Sequence, residues 1–251
     1  MILGAQLYTI REFTKTPECF DESMSKIAQM GYNFVQISAI GQTVTPEVVS
    51  EVCNKYNLGA VITHTNPGRI LNETQAVIDE HKVIGAGFIG IGSMPNEYPR
   101  SLDGYMQFVK DYTPAAKMIK AQGLTLMYHN HAFEFEKYNG RTGMHIIKDE
   151  MPEVGFTLDT YWIQAGGCDP AQFIIDFKDR CKVVHFKDMI ITDNKQCMAE
   201  VMEGNLNWDA IFKACVIANV EYAMVEQDDC YGKDPFDCLA LSLNNLKKAG
   251  L

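Results

Sequence analysis

No apolar run in the 251 residues approaches the roughly 18 or more that a membrane-spanning helix requires, and no membrane association is expected. The first residues, Met1 to Phe13, lack a positively charged start, an apolar stretch of signal-peptide length and a small-residue cleavage pattern, so a cytoplasmic location is expected. Basic charge is also short: 22 Lys and Arg face 32 Asp and Glu, a net charge of -10. Such a surface repels phosphate backbones and lacks the counterion-releasing face that nucleic-acid binding needs. Cysteine is present eight times, but C-x-x-C pairs are absent. Cys19, Cys53, Cys168, Cys181, Cys197, Cys215, Cys230 and Cys238 are scattered, which fits reduced, mostly buried thiols rather than a zinc or disulfide framework.

What the sequence does have is one pattern repeated without a composition break. Short β-rich apolar runs alternate with segments of helical period. Eight runs qualify as strands: Leu3 to Tyr8, Asn33 to Ile37, Gly59 to Thr63, Phe88 to Ile91, Leu124 to His129, Gly155 to Leu158, Lys182 to Phe186, and Tyr222 to Glu226. Between them, Thr16-Pro17, Thr45-Pro46 and Asp169-Pro170 pair a capping residue with proline in the first helical turn. Gly31, Gly59, Gly87 and Gly123 fall where helices end or strands begin. Eight β-α units in a chain of this length predict one (β/α)₈ barrel domain over residues 1–251, an α/β fold, with a doubly wound open sheet as the competitor. The string Gly85-Ala86-Gly87-Phe88-Ile89-Gly90 matches a dinucleotide-binding fingerprint by letter only. It closes a helix and enters a strand, the reverse of the order that brings a pyrophosphate to a helix N-terminus, so no NAD is expected.

Barrel enzymes place their chemistry at the carboxyl ends of the strands, and four successive strand candidates end in polar residues. Strand eight stays apolar until Glu226, and an unpaired carboxylate buried there would cost on the order of several kcal/mol. Strand seven ends with His185, and Lys187 follows on the same side by the period of two. Strand six ends at Asp159, and strand five brings His129 and His131 to one face. Nitrogen and carboxylate donors at matching depth suit a divalent metal, manganese foremost, with zinc, cobalt, iron or magnesium as alternatives.

These segments carry a resemblance. Gln6-Leu7-Tyr8-Thr9, Thr63-His64-Thr65, Tyr128-His129-Asn130-His131, Leu158-Asp159-Thr160, Val184-His185-Phe186-Lys187-Asp188, Glu203-Gly204-Asn205-Leu206 with Trp208, and Val225-Glu226-Gln227-Asp228 resemble the xylose-isomerase-like barrel superfamily of sugar phosphate isomerases and epimerases. That superfamily also contains inosose dehydratases, keto-sugar epimerases and endonuclease-IV-type enzymes. The resemblance implies one metal held by Asp159, His185 and Glu226, with a fourth ligand from strand five. There the family's usual Glu is replaced, and His129 takes the position, with His131 as the near alternative. The family's usual epimerase mechanism uses two metal-bound glutamates, one on each face of the substrate. Here only Glu226 remains, so the second proton carrier would be His131, Glu134, Lys187 or a water. Met202 also departs from the pattern, standing where glycine often precedes Glu-Gly-Asn.

The implied activity is metal-dependent isomerisation or epimerisation of a small keto-sugar or polyol, with Glu226, His131 and Lys187 as the catalytic candidates. A metal-dependent lyase or dehydratase is the alternative, because an elimination needs one base and a separate acid; a non-catalytic sugar-binding relative comes after it. Tyr8, His64, Glu134 and Trp162 are candidate substrate contacts, and Arg69 could reach an anionic group after strand three. The expected partner is a small sugar, with a homo-oligomer compatible with the sequence. No Gly-rich phosphate cradle follows strands seven and eight, which favours a non-phosphorylated substrate.

Overall fold

Eight parallel strands close on themselves in the computed structural model, which describes residues 1–251. They are β1 (Ile2–Gln6), β2 (Phe34–Ile37), β3 (Gly59–His64), β4 (Phe88–Ile91), β5 (Thr125–His129), β6 (Gly155–Asp159), β7 (Cys181–Phe186) and β8 (Tyr222–Val225). Each pairs with its sequence neighbours, and β1 pairs in parallel with β8 through Leu3 opposite Ala223 and Ala5 opposite Val225. That last pairing closes the sheet and rules out the open, doubly wound alternative. The helices are α1 (Pro17–Met30), α2 (Pro46–Lys55), α3 (Pro67–Asn72), α4 (Thr74–Ile84), α5 (Leu102–Ala121), α6 (Gly143–Glu150), α7 (Thr160–Ala165), α8 (Pro170–Asp176), α9 (Trp208–Ile217) and α10 (Pro235–Lys248). No helix is long and apolar enough to cross a membrane.

Local chemistry explains where these elements begin and stop. Thr16 caps α1 by accepting from Cys19 N, Thr45 caps α2 by accepting from Val48 N, and Asp169 caps α8 by accepting from Ala171 N, each with proline in the first turn. Gly31 ends α1 in the left-handed region at φ 97°, where a side chain would be strained. Gly85 ends α4 the same way and β4 starts at Phe88, so the Gly85–Gly90 string does run from helix into strand.

The main core lies between sheet and helices, where Phe108, Tyr112, Phe156 and Phe186 are wholly buried. A second apolar layer, Ile62, Met127, Val183 and Met224, fills the barrel axis. Packing there is tight enough that a Cβ on Gly4 would run into the Met224 sulfur. This plug leaves the carboxyl ends of the strands for polar residues.

All eight predicted strands are present, with their ends displaced by at most two residues. The largest displacement is at β1: the expected strand to Tyr8 stops at Gln6, because the Gln6 side chain accepts from Tyr8 N and turns Leu7–Phe13 into a 3-10 helix. A hairpin of Asp188–Thr192 with Lys195–Ala199 follows β7, and the sequence reading did not anticipate it.

Candidate functional site

At the carboxyl end of the barrel, four buried side chains converge: His129 from β5, Asp159 from β6, His185 from β7, and Glu226 just after β8. One donor atom from each lies within 4.8 Å of all the others. His129 Nε2 is 3.4 Å from Asp159 Oδ2, His185 Nδ1 is 3.7 Å from the same oxygen, and His185 Nδ1 is 2.9 Å from Glu226 Oε2.

The outer faces of both imidazoles fix what their inner faces can do. His129 Nδ1 lies 2.9 Å from the Gly92 carbonyl oxygen, and His185 Nε2 lies 2.7 Å from Gln36 Oε1. A carbonyl oxygen only accepts, so each of these ring nitrogens carries the hydrogen and the inner nitrogen presents a lone pair. Two lone pairs therefore face two carboxylates among buried side chains, and His185 Nδ1 has no aligned hydrogen-bond partner. A divalent cation relieves that arrangement, and an outward N–H to a carbonyl with an inward bare nitrogen is how histidine is oriented on a metal. The donor set of two imidazoles and two carboxylates fits a divalent transition metal. Protonation is the other relief. Burial disfavours the His185 imidazolium, but Glu226 and Asp159 beside it prevail and raise its pKa to about 9.

Lys187 completes the electrostatics. Its Nζ, wholly buried, lies 2.6 Å from Asp228 Oδ1, 3.3 Å from Glu226 Oε2 and 3.6 Å from Asp159 Oδ2. Burial opposes its charge, yet these carboxylates raise its pKa and keep it cationic. In return, Lys187 and His185 overcome the burial penalty on Glu226 and hold it ionised well below the usual carboxylate range. Gln6 Nε2 donates to the other Glu226 oxygen at 2.7 Å. Trp162 N donates to Asp159 Oδ1, and Asp159 N donates to Asn130 Oδ1.

A cavity of about 300 Å³ opens above this group, lined by Tyr8, Ser38, Ala39, His64, Gly92, His129, His131, Lys187, Glu226 and Asp228. Another, of about 420 Å³, lies at the opposite end of the barrel among strand-opening residues such as Phe34, Phe88 and Tyr222. That one is larger, but it lacks convergent titratable groups, so the mouth cavity is the candidate site.

Most of the sequence-predicted residues meet here. Tyr8 lines the cavity with Arg11 stacked 4.4 Å over its ring. His64 packs its ring 5.1 Å from His129, and burial foremost, then His129 and His185, lower its pKa well below the ordinary value. His131 lines the wall against Trp162, ring centroids 5.2 Å apart; burial and then His129 push its pKa down to about 3. Trp162 does not reach the wall but stands 5.3 Å from Lys187 Nζ.

Two candidates sit elsewhere. Glu134 is wholly buried behind the wall, accepting from Tyr128 OH and His131 N at 2.8 Å each. It positions the His131 backbone and has no surface to offer a substrate; burial raises its pKa to about 7. Arg69 does not line the mouth, and its guanidinium is held by Glu73, between α3 and α4, and by Glu80 on α4. Sequence reasoning passed over Gln36, whose signal was an amide near the end of an apolar strand, and quoted Gln6 and Asp228 without assigning either a role.

The family described as xylose isomerase-like TIM barrel matches residues 24–226. No curated protein matches the sequence. Among solved structures, a sugar phosphate isomerase/epimerase from Parabacteroides distasonis superposes with a TM-score of 0.83 at 20% identity, covering 98% of this chain and 93% of that one. An L-ribulose 3-epimerase gives 0.76 at 13% identity, with 99% and 94% covered. A probable 3-DHS dehydratase of petrobactin synthesis from Bacillus anthracis gives 0.75 at 12% identity, with 98% and 99% covered. At these identities the structures establish the shared fold.

Proposed function

The chain belongs to the xylose isomerase-like TIM-barrel family, and from that membership and its buried donor group we propose a divalent-metal-dependent isomerase or epimerase of a small keto-sugar or polyol. The observation that carries this reading is the pair of inward lone pairs on His129 and His185 facing Asp159 and Glu226. His129, Asp159, His185 and Glu226 would hold the ion. When bound, the metal, manganese foremost and zinc, cobalt, iron or magnesium as alternatives, polarises a carbonyl and its neighbouring hydroxyl.

The chain's own residues then divide the proton work. Glu226 is ionised, reaches the cavity and is held by Gln6 and Lys187, so it acts as the base on the carbon next to the carbonyl. His131 faces the same cavity as a neutral imidazole and serves as the second proton carrier. Lys187, fixed among three carboxylates, supplies a permanent positive charge near developing negative charge on oxygen, a role that does not require it to lose its proton. Tyr8 and His64 shape the sugar's surroundings, and Trp162 packs behind His131 and Lys187.

A single glutamate in the donor group also favours a second reading, elimination of water or an aglycone, in which Glu226 is the base and His131 attends the leaving group. Mass spectrometry of products from a panel of keto-sugars and polyols, with manganese-loaded protein, separates the two: unchanged mass supports isomerisation, and loss of water or aglycone supports the lyase. Under either, Glu226→Gln should lower turnover by about 10²- to 10⁴-fold. Turnover unaffected by Glu226→Gln would refute both.

A further inference from the structure

We propose that Asp228 sets which sugar the mouth accepts: its open carboxylate oxygen, Oδ2, takes a hydrogen bond from a substrate hydroxyl outside the pair of carbons on which the reaction occurs. The assignment rests on the isomerase or lyase reading of the same mouth and adds to it a specificity-determining residue.

Two carboxylates line the mouth cavity, Glu226 and Asp228, and they are engaged differently. Glu226 Oε1 accepts from Gln6 Nε2, while Oε2 accepts from Lys187 Nζ and faces His185 Nδ1. Both of its oxygens are committed, and the group is buried. Asp228 accepts from Lys187 Nζ through Oδ1 alone, at 2.6 Å, and Oδ2 takes no hydrogen bond from the protein. A carboxylate present only to tether Lys187 has no need of the cavity, yet the Asp228 side chain keeps 25% of its surface exposed there. Its charge is already matched by Lys187, so the open oxygen calls for a neutral donor rather than an ammonium, and a sugar supplies hydroxyls. Lys187 Nζ lies between Asp228 and Glu226, 3.3 Å from the latter. One ammonium group therefore separates the acceptor from the base, a spacing that directs Oδ2 at the sugar carbons next to the reacting pair.

The backbone around Asp228 is fixed as a binding group requires. Strands β1 and β8 are neighbours in the barrel, so the segments that follow them run side by side. Arg11 Nη1 donates to the Tyr8 and Asp228 carbonyls at 3.0 Å each, and Gln227 N donates to Thr9 Oγ1 at 2.9 Å. The same Arg11 guanidinium stacks 4.4 Å over the Tyr8 ring. One arginine thus holds an aromatic ring and a carboxylate together on one side of the cavity. A ring face for the apolar C–H surface and a fixed acceptor for a hydroxyl are together what reads a sugar's stereochemistry, because only the correct hydroxyl pattern satisfies both.

Calorimetric titration of the four D-ketohexoses, and of the mono-deoxy forms of whichever binds tightest, into manganese-loaded protein tests this, with wild type beside Asp228→Ala. The wild type should bind one deoxy form about 10- to 100-fold more weakly than its parent, the loss expected for one hydrogen bond to a charged group. Asp228→Ala should bind the same pair with affinities within about twofold of each other. A variant that keeps the wild-type ratio, or a wild type that binds no ketohexose saturably, would overturn the assignment. Where the alanine variant does not fold, Asp228→Asn serves: its amide oxygen stays with Lys187 and its NH₂ turns to the cavity, so a donor replaces the acceptor and the ratio should fall likewise. Product formation by the same wild-type samples reports separately on the reaction. Products together with a ratio that Asp228→Ala leaves unmoved would keep the isomerase or lyase reading and refute the role of Asp228. A ratio that collapses in the variant, with no product from the wild type, would do the reverse.

Discussion

The Gln36 side-chain oxygen lies 2.7 Å from His185 Nε2, deep in the barrel and across two strands that are not neighbours. That contact decides which imidazole nitrogen is bare and aims it at Glu226 and Asp159. Gln36→Leu would keep the volume and remove the acceptor. We expect metal affinity to fall about 10- to 100-fold with the fold intact, since partners behind metal-ligating histidines contribute on that scale. Competition against a fluorescent chelator, with circular dichroism as the control, measures it; unchanged affinity would mean that His185 is oriented by other groups.

The buried Asp188 carboxylate after β7 accepts from four backbone donors, Met189, Met202, Gly204 and Leu206 N, and from Trp208 Nε1, the one donor that Trp208→Phe removes. The indole N–H to Asp188 Oδ2 is lost while the ring still packs on Phe186 and Phe212. A hydrogen bond to a buried charged group contributes about 1.5–3 kcal/mol. Urea unfolding should therefore show a lower midpoint at unchanged m-value. A midpoint equal to wild type would show that the four backbone donors suffice.

His81 gives a pH dependence independent of the metal. It is buried in α4, its Nδ1–H donating to the Val77 carbonyl and its Nε2 accepting from Thr63 OH. Burial foremost lowers its pKa from the ordinary value. The unfolded chain then binds a proton that the folded chain refuses, so His81 contributes stability that is complete above pH ~6.5 and is lost as pH falls below it. Denaturant titrations from pH 7.5 to about 5 should show a shallower loss for His81→Gln than for wild type. Parallel curves would contradict the assignment.

Much of this was legible in the sequence, for reasons that differ by element. The strands were readable because both faces of a parallel barrel are covered, giving continuous apolar runs such as Tyr222–Val225, and because Thr-Pro and Asp-Pro pairs punctuate the helices. His129, Asp159, His185 and Glu226 stood out because each ends or directly follows such a run. Gln6 and Gln36 occupy equivalent positions and were given no role because a neutral amide looks inert until its partner is known, and both partners are distant in sequence. The hairpin after β7 had a local signal in Asp193-Asn194. Both adopt positive φ, 50° and 58°, in a two-residue turn that these residue types favour. Reading the chain only as β-α units hid it. Arg69 was misleading for the opposite reason: its charge was visible, but Glu73 and Glu80, one and three helical turns on, already claim it.

Whether His129, Asp159, His185 and Glu226 hold one divalent metal is read from elemental mass spectrometry of purified wild-type protein beside His185→Ala. About one equivalent of a transition metal per chain is expected, or uptake of one manganese on loading, with loss in His185→Ala. A wild type that retains no metal after loading with manganese, cobalt or zinc would contradict it.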